Sequence, residues 1–179
     1  MKLSLRIIIT LRSISVSQEE NDMQYRMKTH PLSDDRLNDL LNRVETGSLA
    51  TMNEDGTPYN TPVHFVYINS SIYVHGLPKG QKIDNIIRNS KVGFTAYDMQ
   101  ALLLDENGKP CDTNTKYESA IATGNAALVT DIEEKRKVLQ NIVAKYTPQL
   151  AHITLPDNMV KGTAVIRIIV EELTGKYYE

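Results

Sequence analysis

The chain has 179 residues, with 20 Lys and Arg against 22 Asp and Glu for a net charge of −2, and one cysteine, Cys111. That length suits one domain with a sizeable core, the near-neutral balance excludes a bulk basic field for nucleic acid or an anionic membrane, and the lone cysteine excludes an intrachain disulfide framework and fits a reducing, cytoplasmic setting. No apolar run approaches the ~20 residues of a membrane-spanning helix, and His30, His64, His75 and His152 show no metal-ligand spacing.

Residues 1–26 read as an N-terminal extension, and 27–179 as the folded domain. The alternation of Leu3, Leu5, Ile7, Ile9 and Leu11 with polar residues suits an added strand. Arg6 and Arg12 interrupt the apolar core that a secretory signal needs, so a targeting peptide fits less well. A third reading is an appended segment ahead of a true start at Met23 or Met27. All three stay open on sequence alone.

From His30 the elements are clearer. Ser33 is a good N-cap, Asp34 and Asp35 suit the positive end of a helix dipole, and Leu37, Leu40, Leu41 and Val44 repeat at helical spacing. They predict a helix over Asp34–Val44. Strands follow at Ser48–Met52 and Pro58–Ile68 around the turn Asn53-Glu54-Asp55-Gly56, then at Ser71–His75 after Asn69-Ser70. A short helix covers Gln81–Asn89, with Ile83, Ile86 and Ile87 as its apolar residues, and Val92–Tyr97 is another strand. The polar stretch Asp105–Thr115, which holds Cys111, reads as a long loop. Lys116–Thr130 is a long strand bent at Gly124. Asp131 and Glu134 have capping-box spacing ahead of a helix whose buried stripe is Val138, Leu139, Ile142, Val143 and Tyr146, stopped by Thr147-Pro148. Ala164–Leu173 is the last strand, ended at Gly175-Lys176. Strands joined mostly by hairpins, with helices around them, predict a mainly β fold: a closed antiparallel barrel with peripheral helices.

The richest segment runs from Asn53 to Lys82. It reads as a hairpin, then a strand passing through a glycine-bearing bend into a helix whose first turn carries Lys82, a natural home for a phosphate. Taken alone, Lys82 fits a solvated surface lysine as well as a phosphate ligand, and Lys79 is a weaker candidate of the same kind. His75 fits a satisfied histidine at a strand end as well as a catalytic one. Cys111 has no feature that would lower its pKa, and reads as a tolerated thiol.

Gly56-x-Pro58-Tyr59-x-x-Pro62-Val63, then Tyr73-x-His75-Gly76-x-x-x-Gly80-x-Lys82-x-x-Asn85, then Pro110-Cys111-Asp112 and Tyr117-x-Ser119 with Gly124 carry a resemblance. In order and spacing the chain resembles the FMN-binding split barrels related to pyridoxamine 5'-phosphate oxidase, and within them the branch of the nitroimidazole-resistance reductases. The resemblance runs from about Met27 to Lys176. It implies an FMN-dependent oxidoreductase acting on a small molecule such as a nitroaromatic or quinone. It also implies a nicotinamide electron donor and a homodimer with flavin sites at the subunit interface. On this pattern the cofactor-binding residues are Thr61, Pro62, Val63 and His64 along the flavin ring, His75 and Gly76 beside it, Lys79, Gln81 and Lys82 at the phosphate, and Ser119 at the phosphate or ribityl chain. His75 is the catalytic candidate. Thr61 stands where the oxidase branch has a basic residue, and the oxidase's arginine-bearing C-terminal segment has no counterpart, so oxidation of pyridoxamine phosphate is not the expected reaction. The alternatives are a flavin-binding protein or sensor without turnover, or a related barrel that holds deazaflavin or haem.

Overall fold

The computed structural model describes residues 25–179, so the expected strand over Leu3–Leu11 lies outside the described residues. Six strands form the body: β1 (Thr46–Met52), β2 (Pro58–Ile68), β3 (Ser71–Gly76), β4 (Lys91–Leu103), β5 (Asn114–Leu128) and β6 (Ala164–Tyr178). Every pairing is antiparallel, and the order β1-β2-β3-β6-β5-β4 closes because β4 returns to β1, from Gly47↔Ala96 to Ala50↔Gly93. The fold is the split barrel with peripheral helices that the sequence predicts.

Alternation builds the core. Leu49 on β1, Val63 and Phe65 on β2, Val74 on β3, Phe94 on β4, Ala122 on β5 and Ile166 and Ile168 on β6 all turn inward and are buried. Each fully buried Val, Leu, Ile or Phe contributes about 1.5–3 kcal/mol relative to an exposed one. Three helices cap this cylinder. Helix α2 (Asp34–Arg43) closes one end with Leu37, Leu40 and Leu41, after Ser33 accepts a hydrogen bond from the Arg36 N–H. Helix α3 (Gln81–Arg88) inserts Ile83 and Ile86 into the same core. Helix α4 (Ile132–Tyr146), capped by Asp131 through the Glu134 N–H at 2.7 Å, covers the outer face of the sheet. There Val138, Leu139 and Ile142 meet Val66, Tyr73 and Val165 in a second core.

The strands are longer than the sequence predicts. β4 and β5 stay paired as far as Leu103↔Asn114, well past Tyr97 and Lys116, as a ribbon on which Tyr97, Met99 and Leu102 are exposed. Such a ribbon has no single buried face, so its alternation is not legible. β6 likewise runs through Gly175-Lys176 to Tyr178 instead of ending there. Gly175 is a clearance rather than a stop: a Cβ there would sit 2.5 Å from Leu37 Cδ2 and 2.9 Å from the Ser119 carbonyl oxygen. The bend expected at Gly124 is a register shift between Thr123 and Gly124 in the β5–β6 ladder. Two short helices, α1 (Tyr25–Thr29) and α5 (Asp157–Gly162), were not predicted, being too brief to show a period.

Charge fixes α2 to the sheet. Glu118 on β5, buried, accepts from Arg36 and, at 2.5 Å, from Arg43, which also reaches Asp98 on β4 at 2.7 Å. Burial pushes the Glu118 carboxyl up, but the two guanidiniums outweigh it and hold it below the ordinary glutamate value. Arg36 also lies over the Tyr177 ring, 4.0 Å from its centre.

Candidate functional site

The barrel is split at β2. β1 follows β2 along Pro58–His64, whereas β3 pairs with β2 only from Phe65↔Val74 to Ile68↔Ser71. The far end of β3 is held instead by β6, at His75↔Val165 and Gly76↔Ala164. One edge of Pro58–His64 therefore has no strand partner among the described residues, and a cleft opens between it, the end of β3 and the start of α3.

Gly80 directs the chain into that cleft. Its φ of +127° lies where residues with a Cβ are strained. Its carbonyl accepts from the Ile83 N–H at 2.9 Å and the Asp84 N–H at 3.1 Å, but a glycine supplies no side-chain cap. The first N–H groups of α3 are thus left to another acceptor, at the positive end of the helix dipole. Lys82 stands in that first turn, half-buried, its Nζ 4.0 Å from where a Cβ of Gly76 would be. Burial lowers its pKa, and no carboxylate opposes the shift. The Gln81 side chain donates to Asn53 Oδ1 at 2.9 Å and so anchors α3 to the β1–β2 turn. Asn85 joins it there, donating to Thr51 Oγ1 and Asn53 Oδ1 from a fully buried position. Lys79 is exposed.

The residues of β2 divide by face. Val63 is buried in the core, Pro62 and His64 face out, and Thr61 is half-buried. Thr61 Oγ1 and His75 Nδ1 are the buried side-chain polar atoms without a hydrogen-bond partner among the described residues. An unpaired buried polar group costs about 1–3 kcal/mol, so both mark places where something polar belongs. One rung beyond Phe65↔Val74 the register sets His64 opposite His75. Burial is the main cause that pushes His75 below the ordinary imidazole value, and His64 and then Lys82 add to it. His75 is therefore held neutral, with one ring nitrogen able to donate and the other to accept.

Ser119 is elsewhere. It is paired with Tyr97 and Lys176, its Oγ lies 3.4 Å from the Lys176 carbonyl oxygen, and it lines a separate hollow of about 430 Å³ with Arg26, Thr113, Asn114, Thr115 and Tyr117. The expected site residues fall into groups: His64, His75, Gly76 and Lys82 lie near one another, Thr61 is on the unpaired stretch of β2, and Ser119 is apart on β5.

Two residues packed against β2 escaped sequence reasoning. Tyr146, counted as one more member of a buried helical stripe, stacks on the His64 ring at 4.4 Å with 21° between planes. Lys145 places its Nζ 4.0 Å from the centre of the Phe65 ring and donates to the Leu41 carbonyl at 3.0 Å. Burial lowers its pKa to about 8 against the opposing charge of Glu45. Neither role has a local signal, because each depends on a strand 81 residues distant in the chain.

A closed antiparallel ring parted at β2, with helices around it, defines the class as a split barrel. The family model described as pyridoxamine 5'-phosphate oxidase matches residues 33–177, and the chain belongs to that family. No curated protein matches the chain at a significant level. Among solved structures it is similar to a candidate 5-nitroimidazole antibiotic resistance protein from Bacteroides thetaiotaomicron, at 27% identity and TM-score 0.71, over 82% of this chain and 85% of that one. The flavocytochrome Anf3 from Azotobacter vinelandii shares the fold at 19% identity and TM-score 0.71, over 82% of this chain and 68% of that one. So does an FAD- and heme-binding protein from Mycobacterium smegmatis, at 16% identity and TM-score 0.73, over 82% of this chain and 72% of that one.

Proposed function

We propose that the protein is an FMN-dependent oxidoreductase that passes electrons from a nicotinamide donor to a small electrophile such as a nitroaromatic or a quinone. The observation that carries this reading is the open edge of β2. Near that edge are the unpartnered Thr61 Oγ1, on the face of β2 that Val63 shares, His75 Nδ1, on the Tyr73 face of β3, and the uncapped start of α3 with Lys82 beside Gly76. Such a set would suit a heterocycle with a polar edge and a phosphate tail. Lys82 and the first N–H groups of α3 would hold the phosphate, and a dianion there offsets the desolvation that lowers the Lys82 pKa. Thr61 and neutral His75 would hydrogen-bond the ring. FMN, when bound, supplies the two-electron chemistry, and the protein supplies position and electrostatics.

A homodimer belongs to the proposal. Ser119, expected at the phosphate or ribityl chain, lies apart from Lys82 within one protomer, and a second copy is the simplest way to bring such a residue to the cleft. Light scattering tests this: a stable monomer that binds flavin tightly would refute it.

The purified protein should show flavin bands in its visible spectrum, alone or after FMN is added. Stopped-flow mixing with NADH or NADPH should bleach them, and a quinone should restore them. A Soret band would replace FMN by haem. Bound flavin that no nicotinamide reduces would make the protein a flavin carrier or sensor.

A further inference from the structure

We infer that the His64 imidazole is the hydrogen-bond donor that orients the oxygen of the electron acceptor, and that Tyr146 is its positioning residue. The inference rests on the oxidoreductase reading for the acceptor's identity, but its geometry is independent of any cofactor. β1 and β2 stop pairing at Thr46↔His64, and one rung further Glu45 would face Phe65. The Tyr146 hydroxyl occupies that missing rung. It accepts from the Phe65 N–H at 2.8 Å and has two carbonyls in reach for its single proton, Glu45 at 2.6 Å and Phe65 at 2.9 Å. With its oxygen fixed in the seam, the Tyr146 ring lies flat against one face of His64 and leaves the other open.

An exposed histidine on a strand would otherwise turn among several rotamers, at a cost in orientation each time it engaged a ligand. The stack removes that freedom. His64 is also the one outward imidazole beside His75, on the side of the barrel away from the core. His75 at the end of β3 is the titratable group set beside it, and the Tyr146 ring is stacked on it. A donor held at this place suits an acceptor whose oxygens carry partial negative charge, as those of a quinone or nitro group do.

Histidine NMR tests the geometry first. His64→Gln identifies the His64 ring signals by removing them. Those signals should be displaced upfield by the Tyr146 ring in wild type, keep that displacement in Tyr146→Phe, and lose it in Tyr146→Leu. Displacement retained in Tyr146→Leu would overturn the positioning role. Function is read on the FMN-loaded protein with 1,4-naphthoquinone as the probe. His64→Gln and Tyr146→Leu should raise its KM about tenfold, the size of one lost hydrogen bond in a partly shielded site. FMN is kept at saturation throughout, so that a change in its affinity does not enter the KM. An unchanged KM in His64→Gln would refute the inference, and because His64 is exposed that variant does not endanger the fold. If FMN does not bind at all, the proposed function fails while the NMR result still decides whether Tyr146 holds His64.

Discussion

The two ends of β2 and β5 treat charge in opposite ways. At Glu118 a buried carboxylate is met by two guanidiniums, and Asp98 takes a further bond from Arg43. In the cleft, Lys82 has no carboxylate, His75 Nδ1 and Thr61 Oγ1 have no partner among the described residues, and the edge of β2 has no strand beside it. The first cluster is complete and stabilises the fold. The second is incomplete, and its unpaired buried groups lower stability. A cluster that closes on itself serves architecture, and one that does not is where binding energy is available.

The largest effect should come from breaking the closed cluster. Glu118→Ala should cost about 2–3 kcal/mol in urea unfolding, below the roughly 3–5 of a fully buried pair because both guanidiniums reach solvent. A loss under about 1 kcal/mol would mean that the cluster is decoration. The Glu118 carboxyl is held low in the fold, so the unfolded chain binds more protons as pH falls below 4.5. Stability should therefore drop in that acid range, and the drop should be shallower in Glu118→Gln.

Next is Lys82→Ala, which should weaken FMN binding by about 10- to 150-fold, corresponding to roughly 1.5–3 kcal/mol for a charge-assisted hydrogen bond. Riboflavin, without the phosphate, should be indifferent, and the melting temperature of the cofactor-free protein should not fall. Equal losses for both flavins in fluorescence titrations would reduce Lys82 to a surface lysine and erase the contrast between the two clusters.

His75→Leu should act through pH. Folding depresses the His75 pKa below 6.5, so stability is lost as pH falls from 6.5 toward the folded value. Chemical denaturation at a series of pH values should show that loss in wild type and not in the variant. Lys145 acts in the alkaline range. Its pKa falls from 10.5 to about 8 on folding, so stability should rise with pH across that interval. Lys145→Met should flatten the rise, and an unaltered slope would mean that the amine is not desolvated.

What was legible in the sequence was local. Ser33 and Asp131 announced their helices through a cap, the turn at Asn53–Gly56 announced its hairpin, and Gly80 with Lys82 announced a helix start suited to an anion. Pairings across long gaps were not legible, since β3 finds β6 nearly a hundred residues later and no period in either strand names its partner. The same limit hid the seam filled by Tyr146: a tyrosine on an apolar stripe has one signature whether its hydroxyl is idle or completes a ladder. Ser119 shows the same limit: its type suits a phosphate or ribityl contact, and its place on β5 between Tyr97 and Lys176 is set by strand pairings that no local signal names.

The open edge of β2 has a consequence for solubility. A strand with one side unpaired is a template on which another chain can add. Pro58 and Pro62 are four residues apart, so their nitrogens point to the same side, and proline is tolerated in a strand where no N–H is required of it, on the unpaired side. An incoming strand would find two of the donors it needs missing, with only the Asn60 N–H between them on the same side. The edge thus refuses a neighbouring strand without having to be covered.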